Sequence, residues 1–165
     1  MSTLITPSNS GETTIVLQTR KGTPIPNSQS HEFSSFEKNQ FLKTRMKHKL
    51  AQCRTEPNPI YNCHGLVFAS GRTGITDNNA LQTILEEDSY IEVVKDEILP
   101  GDIIIYYNDV GDMVHSGIVI SKPARMELVP QVVSKWGKYK EMIHSANDCP
   151  YTFFNHRYYR LIKWD

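Results

Sequence analysis

The run Ile103-Ile104-Ile105-Tyr106-Tyr107 offers almost no position for a solvent-facing side chain. A strand of this kind is covered on both faces, so it belongs inside a sheet and not at its edge. Pro100-Gly101-Asp102 supplies the turn that launches it, and Asn108 to Asp112 (N-D-V-G-D) supplies the turn that follows. Beyond that turn, Val114 to Ser121, Val129 to Lys135 and Tyr158 to Trp164 read as further strands. Helical patterns lie before the run and an antiparallel meander after it, so the expected class is α+β. A chain of 165 residues has room for one hydrophobic core and not for two comfortable domains.

The first half reads differently. Residues 1–30 form a polar arm or an accessory strand, with a β-prone stretch at Thr13 to Thr19 and a turn-rich stretch at Lys21 to Asn27. Residues 31–165 then make the single domain. Ser34 or Ser35 caps a helix through Phe36, Phe41, Leu42, Met46 and Leu50, whose spacing predicts a buried stripe. Its lysines and Arg45 make a solvated face. Pro57 and Pro59 end any helix and hold Ile60 and Tyr61 extended. A short buried helix is expected from Cys63 through Leu66, Val67 and Ala69, ending at Gly71 or Gly74. Asp77 or Asn78 caps the next, through Leu81, Ile84 and Leu85, and Tyr90 to Val94 is an edge strand or extended connection.

Eighteen basic side chains balance eighteen acidic ones, which argues against nucleic acid or an anionic membrane as partner. The aromatic and basic run at the carboxyl end, Tyr151 to Asp165, is better explained as a last strand than as a stacking surface. Cys53, Cys63 and Cys149 cannot all pair, and none has the close spacing of a zinc site, so reduced thiols and no metal or other cofactor are expected. Met1 to Gly11 lacks the basic flank and apolar run of a secretory signal, and no stretch approaches the ~20 apolar residues of a membrane span. The expected location is the cytoplasm, with export by a signal-independent route left open.

Cys63 falls where the extended Pro59 to Tyr61 segment gives way to a helix. Unsatisfied N–H groups at a helix start favour a thiolate over a thiol, whose pKa is ~8.5 when free. His115 opens a strand directly after a polar turn, at a sheet end where a cleft can form. A thiol beside an imidazole is the pairing cysteine hydrolases use. A packed core cysteine and a surface histidine are the bland alternatives.

Asn62-Cys63-His64-Gly65-Leu66-Val67 resembles the D-C-S-G-L-V box of the NlpC/P60 peptidases, within the papain-like group that includes CHAP amidases. Pro100-Gly101-Asp102-Ile103-Ile104 resembles the family's P-G-D-L-V/I turn and strand. His115-Ser116-Gly117-Ile118-Val119-Ile120 is similar to its H-V-G-I-Y-I strand. The likeness spans Tyr61 to His144. It implies a nucleophile helix packed on an antiparallel sheet, with Cys63 as nucleophile and His115 as its base. Met142-Ile143-His144-Ser145 resembles the family's F-I-H-A segment, which implies His144 as the group orienting His115. A long insertion separates the two, so Ser134 and Gln131 on the intervening strand are alternatives. The Cys63 N–H is the first oxyanion donor, Tyr61 the nearest upstream hydroxyl and Gln52 a weaker choice. Asn62 and Trp136 complete the expected substrate site, although Trp136 also reads as a core cover. The family has aspartate at Asn62 and serine at His64; Asn62 can still cap, and His64 is expected to face solvent. The implied substrate is a peptide, isopeptide or amide bond in a peptide, a protein or bacterial cell-wall peptide. A catalytically inert binding or immunity module and a structural or assembly protein are the rivals. No oligomeric state is implied.

Overall fold

The computed structural model describes residues 11–123 and 128–162. Strands β1 (Glu12–Thr13) and β2 (Gln29–Ser30) form a small antiparallel pair. Helix α1 (Ser35–Lys47), strand β3 (Gln52–Cys53) and helices α2 (Cys63–Ala69) and α3 (Asn78–Glu87) follow. Then come β4 (Tyr90–Val93), a 3-10 turn at Lys95–Glu97, β5 (Ile103–Tyr107), β6 (Met113–Ser121), β7 (Gln131–Trp136), β8 (Lys140–Ser145) and β9 (Asn155–Leu161). Seven strands form one sheet in the order β3-β8-β7-β6-β5-β9-β4, every neighbouring pair antiparallel. The fold is therefore mixed α+β, with helices on an antiparallel sheet. Among the described residues no helix is long and apolar enough to cross a membrane.

The strand β5 sits between β6 and β9, and Ile104, Ile105 and Tyr106 are wholly buried. Alternation sends its side chains to two cores. Ile103 and Ile105 pack with Ala69 of α2 and with Leu81 and Ile84 of α3. Ile104 and Tyr106 pack with Val119, Val132 and Tyr158 on the other face. The lead segment joins the first core through Ile25 and is tied to α3 by Thr19 and Thr23, both donating to the Glu87 carboxylate. The part of the arm that is described thus combines a short strand pair with a packed flap.

The stripe expected on α1 does not bury. Ser34 caps the helix as read, its Oγ accepting from the Glu37 N–H at 3.0 Å, but Phe41 alone turns inward. Phe36, Leu42, Met46 and Leu50 are exposed. The helix meets the body through Phe41, which packs with Ala51, Trp136 and Met142, and through Arg45, which donates to Cys53 Sγ on β3. Two strands differ from expectation. The segment holding His144 is itself a strand, β8, and the last strand is Asn155–Leu161, with Trp164 outside the described residues.

Candidate functional site

The start of α2 is fixed by one amide. Asn62 keeps an extended backbone while its Oδ1 accepts from the Gly65 N–H at 2.9 Å and from the Ile75 N–H at 3.0 Å. Its Nδ2 donates to the Ile75 carbonyl at 2.8 Å, stapling the helix start to a segment farther along the chain. Gly65 lets α2 pass against that same segment, because a Cβ there would lie 1.8 Å from the Thr73 carbonyl oxygen. Cys63 becomes the first residue of the helix and lines a cleft of about 620 Å³ together with Asn62, His64, Phe41, Trp136 and Tyr151.

The thiol is not held in its charged form. Burial pushes its pKa up to about 11, against the opposing pull of the Ser116, His64 and Cys63 N–H groups and the Ser116 hydroxyl. The helix start supplies two of these donors, Cys63 and His64, and Ser116 on β6 supplies the others, but desolvation outweighs them all. His64 corrects the sequence reading more sharply, being buried at 5% exposure instead of facing solvent. Its Nε2 lies 3.2 Å from the Met113 carbonyl, which makes that nitrogen the donor and leaves Nδ1 to accept from Ser116 Oγ at 2.8 Å. Burial lowers its pKa to about 4, so the ring is neutral at pH 7.

His115 and Ser116 are consecutive on β6 and point to opposite faces. Ser116 meets His64 and the thiol, whereas His115 is stacked between Tyr106, at 5.5 Å between ring centres, and Tyr151, at 4.6 Å. It is wholly buried, and neither ring nitrogen has a hydrogen-bond partner, so no such bond joins it to Cys63 or His144. Burial, then the nearby His144 and His64, holds its pKa well below the usual range.

His144 lies two strands from His115, with β7 between, and its partner Val132 faces Val119, four residues along β6 from His115, so the two backbones are offset both across and along the sheet. Its Nδ1 donates to the Ser145 carbonyl at 2.8 Å and its Nε2 accepts from Ser134 Oγ at 2.6 Å, while Ser134 Oγ also accepts from the Trp136 indole at 3.2 Å. Ser134, His144 and Trp136 are thus one closed chain. Gln131 lies away from it, beside a separate depression lined by His48 and Asp148. The Tyr61 hydroxyl donates to Glu141 at 2.5 Å, and Gln52 is exposed on β3.

The structure brings Cys63, Asn62 and Trp136 to one cleft and sets His115 beneath Tyr151 at its side. Three contributors were not singled out for the site from the sequence. Ser116 is the hydroxyl between thiol and His64, and Tyr151 lies over His115 with its hydroxyl accepting from the Gly137 N–H at 3.0 Å. Lys135 is the third, wholly buried on β7. A signal existed for it: Val132, Val133 and Trp136 around it leave that strand no solvent face. Among the described residues no group of three or more His, Cys, Asp or Glu is placed to hold a metal ion, and no disulfide forms. Comparison with protein-family models, with curated proteins and with solved structures finds no match for this chain.

Proposed function

We propose that this protein is a papain-like cysteine hydrolase that cleaves amide bonds of a peptide or protein, with Cys63 as nucleophile and His115 as proton carrier. The observation that carries the reading is the placement of Cys63: it is on the first turn of a capped helix, facing three N–H groups and lining a cleft. His115 adds support, because a wholly buried imidazole with two unpaired nitrogens costs stability and calls for a use.

The resting pair is neutral, a thiol and an imidazole, and not a preformed ion pair. Ser116 and not His115 is on the face of β6 that meets the thiol, so proton transfer requires the start of β6 to turn the Tyr151-covered ring toward Cys63 as substrate fills the cleft. The Cys63 proton passes to His115, sulfur attacks the amide carbonyl carbon, and the oxyanion is held by N–H groups at the helix start. The C–N bond breaks as His115 returns the proton to the leaving amine. Water, giving its proton to the same ring, attacks the thioester, the C–S bond breaks to free the acid, and the ring's proton returns to the Cys63 sulfur. The aromatic walls Phe36, Phe41, Trp136 and Tyr151 suit a peptide substrate over a highly charged one.

A peptide chloromethyl ketone tests the reading. Cys63 is expected to be labelled in native protein, with labelling abolished in His115→Ala and retained after Cys53→Ser. Cys53 is exposed, so simple alkylation at that position carries no information. Equal labelling of Cys63 in wild type and His115→Ala would favour the inert binding module, a rival supported by the missing Cys63–His115 hydrogen bond.

A further inference from the structure

Lys135 is buried to 0% exposure in a chain with abundant surface for lysines. Its Nζ donates to the Asn58 carbonyl at 2.5 Å and to the Tyr61 carbonyl at 2.8 Å, and it sits 3.5 Å from the centre of the Tyr61 ring. That ring is in turn fixed by its hydroxyl on Glu141, which lies 3.6 Å from Arg54. The two carbonyls belong to the segment that delivers the chain into Asn62 and Cys63. We infer that Lys135 is a positioning residue for the nucleophile: it clamps the Asn58–Tyr61 segment and presents the positive charge that favours the Cys63 thiolate. This rests on the hydrolase reading for its catalytic meaning, though the coupling of the two side chains stands on its own.

The charge is the part that a purely structural role does not need. The two carbonyls need N–H donors and not a full charge, and an amide can supply such donors, so support of the turn alone would not require an ammonium group. His115 and His64 are both held neutral, whereas Lys135 on β7 is a cation in electrostatic interaction with Cys63. The groups acting on Lys135 are Glu141 from β8, Cys63 from α2 and Glu37 from α1, all favouring its charge, and Lys138 opposing it. Burial outweighs them and brings its pKa to about 7. The ammonium form is thus present below neutrality and fades above it.

The test compares Cys63 alkylation by iodoacetamide across pH in wild type, Lys135→Met and Lys135→Gln, read by mass spectrometry in a Cys53→Ser background. Glutamine keeps an N–H donor for the two carbonyls without the charge. Both variants are expected to react about tenfold more slowly near neutrality, the equivalent of one unit in thiol pKa. A wild-type profile in Lys135→Gln overturns the charge role. Should both variants fail to fold, the native lysine decides the matter. Cys63 is converted with iodoacetate to a charged adduct or with iodoacetamide to a neutral one of equal size. The Lys135 titration, followed by 13C NMR at Cε, is expected to lie about half a pH unit higher with the charged adduct. Coincident titrations overturn the proposal alone, while a Cys63 that accepts neither reagent overturns it together with the hydrolase reading.

Discussion

Asn62 satisfies three backbone groups with one side chain, and each partner demands a particular atom. Oδ1 serves the Gly65 and Ile75 N–H groups, and only an N–H₂ group can serve the Ile75 carbonyl. Aspartate would set an oxygen against that carbonyl. Asn62→Asp therefore keeps the cap and loses the staple. A carboxylate at a helix start recovers about 0.3–1 kcal/mol, less than the ~1–3 kcal/mol of a buried acceptor left without its donor. A net loss of about 1–2 kcal/mol is expected in urea unfolding, and the added negative charge should also slow Cys63 alkylation. Asn62→Ala removes all three bonds and should cost more than aspartate does. An Asn62→Asp protein as stable as wild type would show that the Nδ2 bond contributes nothing. The capping role was legible in the sequence because it is local. The second partner was not, because Ile75 comes close only once α2 has packed.

At the scale of elements, α2 is held by how closely it approaches the Thr73–Gly74 segment. A methyl group on Gly65 would meet a backbone oxygen at 1.8 Å, and backbone cannot yield as a side-chain tip can. Gly65→Ala is expected to cost about 2–4 kcal/mol in thermal or chemical unfolding, at the upper end of overpacking effects. It should also displace the helix start, so the protein that does fold should lose chloromethyl ketone labelling at Cys63. Stability within about 0.5 kcal/mol of wild type would mean that the segment shifts freely. This contact marks the limit of what the sequence disclosed. The central strand β5 was readable because Ile103 to Tyr107 is apolar on both faces, and α2 and α3 because Asn62 and Asp77 are strong caps. The apolar spacing of α1 was readable but misleading, since periodicity describes a helix surface and not whether anything covers it. Strand β8 was hidden because Lys140 and Glu141 look solvent-facing, whereas Glu141 is buried by Tyr61. The gap between His115 and His144 follows from β7 lying between them and from a register that sets His144 level with Val119, matters of strand order and pairing that no local motif records.

For the whole molecule, the buried imidazoles make folding a function of pH on the acid side. His64, His115 and His144 are all buried with lowered pKa, and half-buried His156 shifts the same way. In each case burial is the leading cause. The unfolded chain protonates these rings near pH 6.5, while the folded chain resists until much lower pH. Their contribution to stability is therefore complete above about pH 6.5 and is lost as pH falls through the folded values, which for His64 lie near 4. His64 alone accounts for about 3 kcal/mol across that window, His115 and His144 each add a slope of up to about 1.4 kcal/mol per pH unit, and half-exposed His156 adds less. Lys135 adds nothing to this slope, because with a pKa of about 7 it is largely charged in both states at the lower end of the window. Against a total stability of ~5–15 kcal/mol, the loss is large enough to unfold the domain before its carboxylates titrate. Urea unfolding from pH 7 to pH 4.5 should therefore give a steeply falling midpoint. His64→Gln retains a donor for the Met113 carbonyl without a titrating ring, so its curve should fall less steeply and converge on wild type as acid is added. A flat midpoint down to pH 5 would mean that these rings take up protons in the folded state. His64 would then be charged beside Cys63, and the neutral resting pair would have to be abandoned.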